Sequence, residues 1–280
     1  MLKSNSFVNF KTYFFVLFAL ILTCCSGDGG LNSTSSSGAG GGGSSKLSNN
    51  PNTNSLSGIH SSSGWGSELP ITVYISEQII SENPDLVTQI QAAMNTWEKA
   101  VGKTLFNFNA TLTTSLKGND FTSLYQPLNE TFNGLYFDFN WIANTGKTSA
   151  VLATTIWGNS ASDSSLIVQA DIRFNHSFYV FGNALTDQNQ GDLTIVDMQS
   201  LATHELGHFL GLNHTQDLDP TQALYDPYSV MLPSMFIGPG NVVRKISSGD
   251  VARIRTIYAN GDHSQVNQLQ LSDSSMVYTP

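Results

Sequence analysis

Apolar Ile71, Val73 and Ile75 alternate with Thr72, Tyr74 and Ser76, the period of a half-buried strand. Asn83-Pro84 then predicts a helix start, with Asn83 as N-cap and Pro84 in the first helical position. Leu86, Ile90, Ala93, Met94, Trp97 and Val101 follow at helical spacing as a core-facing stripe, and Gly102 ends it. Leu135, Phe137, Phe139 and Trp141 alternate again as a strand, and residues 150–157 and 166–174 predict two more. A further helix is expected from about Leu193. Ser247 caps a last one, where Val251, Ile254 and Tyr258 share a face. These elements place residues 67–262 in the α+β class.

Upstream the pattern is different. Ser26 to Gly66 is dominated by Ser, Gly and Asn, a composition that buries too little apolar surface to fold. It reads as a flexible tether or an activation peptide. Before it, Lys3 and Lys11 precede the mostly apolar run Thr12 to Thr23, which has the length of a signal-peptide core. A spanning helix needs about twenty apolar residues, so this run predicts export instead. Leu22-Thr23-Cys24-Cys25 resembles a bacterial lipobox, in which a cysteine thiol receives diacylglycerol. Leu22 three places upstream favours Cys25, and Cys24 is the alternative; an ordinary cleaved signal is the other reading. The expected organisation is a leader at 1–25, a tether at 26–66, a globular domain at 67–262 and a tail at 263–280.

The two cysteines are the only ones in the chain, so the globular domain forms no internal disulfide and depends on its core. Twelve Lys and Arg against 21 Asp and Glu give a net charge of −9, which excludes a nucleic-acid binder.

Three of the six histidines fall in His204-Glu205-Leu206-Gly207-His208-Phe209-Leu210-Gly211-Leu212-Asn213-His214. Residues four apart share a helix face, so His204 and His208 can present imidazoles to one metal ion. Glu205 lies beside them as a base that is not itself a ligand. Gly211 can adopt a positive φ, turning the chain so that His214 arrives as a third nitrogen ligand. Three protein ligands leave a fourth position open, the mark of a catalytic zinc site rather than a structural one.

This motif resembles that of the metzincin clan of zinc endopeptidases. Ser229-Val230-Met231-Leu232-Pro233 looks like the clan's Met-turn, with Met235 as a competing candidate. Thr215 after the third histidine, Pro233, and the segment from Asp250 to Tyr258 are similar to the matrixin branch. The loop between His214 and Met231 is longer than is usual there.

The resemblance implies a metzincin fold: a twisted mixed sheet with an active-site helix above a small irregular C-terminal lobe. It implies one catalytic Zn2+ on His204, His208 and His214, with Glu205 as general base and Met231 as a structural floor. It also makes the strand through Ala170, Asp171 and Ile172 the sheet edge on which an extended peptide substrate pairs. A zinc endopeptidase acting as an exported, lipid-anchored monomer on protein substrates is the expected function. A surface adhesin that keeps the zinc site but hydrolyses little is the alternative, and a zinc hydrolase of non-peptide substrates is a third reading.

Other candidates carry less chemistry. Asp163, Asp187 and Asp192 lie in polar loops without the ordered spacing of a calcium motif, which leaves Ca2+ without an assigned site. His176 reads as a surface or cleft-rim residue, and His60 and His263 as members of mobile segments.

Overall fold

The structure is a computed structural model of the 280-residue chain and describes residues 22–23, 58–109, 112–186, 194–216, 221 and 224–259. Strand β1 (Ile71–Ser76) buries Ile71, Val73 and Ile75, as the alternation predicts. A short helix α1 (Glu77–Glu82), which the sequence reading missed, is capped by the Ser76 hydroxyl accepting from the Gln78 N–H. Helix α2 (Asp85–Val101) buries the whole expected stripe from Leu86 to Val101 and stops at Gly102. It opens one residue later than the sequence suggests. The Asn83 carboxamide oxygen accepts from the Asp85 N–H at 3.0 Å, and Pro84 takes the flanking position.

The further elements that frame the site are β2 (Phe106–Asn107), β3 (Thr113–Thr114), β4 (Asn133–Asp138), α3 (Trp141–Thr145), β5 (Ala153–Asn159), β6 (Ile167–Asn175), β7 (Val180–Gly182), β8 (Ile195–Asp197), α4 (Met198–Phe209) and α5 (Ser248–Tyr258). The predicted strand through Trp141 ends early. Asp138 accepts from the Asn140 N–H at 2.9 Å, and the turn so formed places Trp141 at the start of α3. Helix α4 begins at Met198 rather than near Leu193. Its β-branched approach Ile195-Val196 pairs with β7, and Asp197 caps the helix by accepting from the Ser200 N–H.

The main sheet runs in the order β2-β1-β4-β6-β5, with β3 also pairing with β1. All pairs are parallel except β5 against β6, where Thr155 faces Ile172 and Trp157 faces Ala170. One expectation is overturned here. The strand carrying Ala170, Asp171 and Ile172 lies inside the sheet between β4 and β5, and β5 is its antiparallel edge. Alternation reports which face a side chain takes, not where a strand sits in the sheet. Asp171 and Arg173 on this strand are both fully buried.

Helices α2 and α4 pack beneath the sheet, and the Trp97 indole N–H donates to the Thr203 carbonyl at 2.9 Å between them. The boundary at residue 67 is also too late. Residues 58–66 belong to the folded body: Trp65 is buried, and Gly64 and Ile59 bridge to Leu166 and Leu212. No helix among the described residues is long and apolar enough to cross a membrane. Cys24, Cys25, Asp187, Asp192 and the tail with His263 lie outside the described residues.

Candidate metal centre

Helix α4 carries His204, Glu205 and His208 through the core, all three buried. Its last turn closes with the Gly211 N–H on the His208 carbonyl and the Leu212 N–H on the Gly207 carbonyl, both at 2.9 Å. Gly211 sits at φ +109, which a residue with a Cβ rarely adopts, and a Cβ there would also crowd the Ser61 carbonyl. The chain reverses at this point and brings His214 back beside the helix.

The Nε2 atoms of His208 and His204 are 3.2 Å apart, and those of His208 and His214 are 3.1 Å apart. Tetrahedral zinc with nitrogen ligands at its usual bond length separates them by about 3.3 Å. Ring orientation is set from behind. The His204 Nδ1–H donates to the Val230 carbonyl and the His208 Nδ1–H to the Leu212 carbonyl, each at 2.7 Å. Carbonyls only accept, so both protons reside on Nδ1 and both Nε2 lone pairs point inward. Lone pairs facing each other at this range repel unless a cation lies between them. The donor set therefore fits a metal ion, and imidazole nitrogen in this number suits zinc.

Electrostatics agree. Burial, then the neighbouring His204 and His214, hold His208 well below the ordinary imidazole pKa; burial and His204 lower His214 to about 3. Neutral rings are the ligand form. Among the described residues these three histidines form the group able to hold a metal, and Glu205 is not one of its members. The Glu205 carboxylate instead receives the Thr155 hydroxyl from β5, at 2.6 Å to Oε2.

Below the rings the chain turns at Ser229, Val230 and Met231. The Ser229 hydroxyl accepts from the Met231 N–H, and the Met231 carbonyl accepts from the Thr215 N–H. Met231 is fully buried with its thioether against Gly207, where any side chain would collide with Met231 and crowd Trp97. Met235 lies elsewhere, lining a cavity beside His204 with Ser200, Val230, Leu232 and Val243.

Several supporting residues escaped the sequence reading. Asp250 completes the capping box of α5, and its buried carboxylate also receives the Ser229 hydroxyl, the Val230 N–H and the Arg253 guanidinium. The spacing Ser247-x-x-Asp250 signals the cap, but nothing local signals the link to the Met231 turn. His60, expected in a mobile stretch, is instead held against the helix end. Its Nε2–H donates to the His208 carbonyl at 2.8 Å, and its ring stacks on Trp157. Burial lowers its pKa to about 4, so it is neutral at ordinary pH. The Trp65 indole and the Tyr258 hydroxyl satisfy the Phe209 and Leu210 carbonyls, each at 2.8 Å. A lone tryptophan at the end of a Ser/Gly-rich tract was the available sign that folding begins there.

The other candidates remain outside the centre. His176 bonds Glu82 at 3.0 Å and sits among Phe137 and Phe139. Asp163 closes its own exposed turn, where the Ser165 hydroxyl and N–H hold its pKa below the usual carboxylate value. Ala170 and Ile172 are core residues, and Asp171 accepts from the Gly134 N–H.

A family model described as Matrixin matches residues 64–259, from the strap beside the helix end to the close of α5. No curated protein matches the chain.

Proposed function

The chain belongs to the matrixin family, and from that premise we propose that it is a zinc endopeptidase cleaving extended segments of protein substrates. One observation carries this reading: three imidazole Nε2 atoms converge, two of them with lone pairs held inward, beside a buried carboxylate that is not part of their cluster. His204, His208 and His214 would hold the ion. Zinc, when bound, is a Lewis acid that acidifies water and polarises a scissile carbonyl.

The chain's own residues do the rest. Glu205 takes the proton from the attacking water and returns it to the departing amine. The Val230 and Leu212 carbonyls keep two of the imidazoles oriented and neutral. Among the described residues β5 has a strand partner on one side only. Its other edge offers backbone groups to a substrate strand, while the cavity beside His204 receives a side chain. In this reading the enzyme acts as a monomer outside the cytoplasm, anchored through Cys25 or Cys24; the leader sequence supports that anchorage.

The test uses the zinc-loaded protein and a peptide library. Chelation is expected to abolish hydrolysis and zinc to restore it. Glu205→Gln is expected to lower kcat by about 10²- to 10⁴-fold with zinc content unchanged. Native protein that binds zinc and peptides but does not cut them would make the chain a binder instead.

A further inference from the structure

We propose that Thr155 is a positioning residue that aims the Glu205 carboxylate. The inference rests on the proposed role of Glu205 as base and goes beyond it. Strand β5 points Ala153, Thr155 and Trp157 at one face of the sheet, and Ala153 and Trp157 are part of the hydrophobic core there. An apolar side chain between them would pack without penalty. The buried hydroxyl has to recover its lost hydration from a partner, and both of its acceptors belong to Glu205. The carboxylate oxygen Oε2 lies at 2.6 Å and the main-chain carbonyl at 3.1 Å.

A hydroxyl has a single proton. It goes to the shorter contact, whose acceptor is charged and therefore binds it more strongly. The bond does two things. It holds a side chain with three rotatable torsions in one orientation, so the carboxylate stays aimed as the reaction proceeds. It also occupies Oε2, which directs an incoming proton to Oε1. Because Thr155 lies on the edge strand, the same residue joins the proposed substrate-binding edge to the base.

A residue acting this way alters the chemical step more than substrate binding. Thr155→Val keeps the shape and β-propensity but removes the hydroxyl. It is expected to lower kcat by about 10- to 100-fold with KM and zinc content close to native, and to lower Tm because the buried Oε2 loses its donor. Thr155→Ser keeps the hydroxyl, loses a methyl group and is expected to stay within about threefold of native kcat. Unchanged kcat in Thr155→Val overturns the proposal. So does a Thr155→Ser that loses as much as Thr155→Val, because packing would then account for the effect. Glu205→Gln measured alongside separates the two levels. If it remains fully active, the reading of Glu205 as base fails; if it is inactive while Thr155→Val is native-like, only the aiming role fails.

Discussion

Two of the clusters of buried ionisable side chains among the described residues are completed differently. At one end of the sheet, Arg173 on β6 meets Asp138 on β4, both fully buried. Arg173 also donates to the Ser123, Leu124 and Gly118 carbonyls, and Asp138 receives the Asn140 N–H and the Asn144 carboxamide. Charge cancels charge, and the donors of this cluster other than the Arg173 Nε–H meet acceptors within the chain. Around α4, by contrast, the Nε2 atoms of His204, His208 and His214 face one another, and those of His204 and His208 are acceptors. The difference separates a cluster whose partner is another side chain from one whose partner is an ion.

Removing one side of the closed cluster is expected to have the largest effect. Arg173→Met leaves Asp138 buried without its counter-charge and is expected to cost about 3–5 kcal/mol of stability, read by urea denaturation. Zinc content of the folded fraction should not change. A loss below 1 kcal/mol would mean that water reaches Asp138 and that the cluster is not closed.

Asp171, two residues away on β6, sharpens the comparison through pH. Burial outweighs the Gly134 N–H and the nearby Arg173 and raises its pKa to about 8. An unfolded aspartate titrates near 3.9, so between about 4 and 8 the folded chain holds a proton that the unfolded chain has released. Stability from this group is complete below about pH 4 and falls as pH rises to about 8, by up to ~1.4 kcal/mol per pH unit. Asp171→Asn is expected to remove that slope, since an amide stays neutral. Urea midpoints of both proteins between about pH 5 and 7 test it, and equal slopes would contradict it.

The smallest expected effect is on the open cluster. His214→Leu in metal-depleted protein removes an acceptor that only a cation satisfies. Its melting temperature is expected to match that of metal-depleted native protein to within about 0.5 kcal/mol equivalent. Added zinc should raise the native melting temperature and leave the variant's unchanged. A variant that loses several kcal/mol without metal would place His214 among the closed, structural groups.

The metal centre was legible because its logic is local. A helix sets the spacing of His204, Glu205 and His208, and Gly211 supplies the reversal that delivers His214. The core stripe of α2 and the cap of α5 were legible for the same reason: each depends on residues within a turn or two. Strand order was not. Period-two alternation marks faces and not neighbours, and the resemblance alone put the edge at β6, one strand away from β5.

From the sequence alone follow the three grouped histidines with Glu205 beside them, the core-facing positions and the absence of a disulfide in the folded domain, all properties of composition or of nearest turns. Only the tertiary structure decided which strand lies at the sheet edge, that Thr155 meets Glu205 across 50 positions, and that Asp250 ties the Met231 turn to α5. It also decided that His60 and Trp65 close the end of α4. These contacts join segments far apart in the chain. Hydrogen bonds between such segments leave no periodic trace in sequence, because their geometry exists only after the sheet and helices have packed.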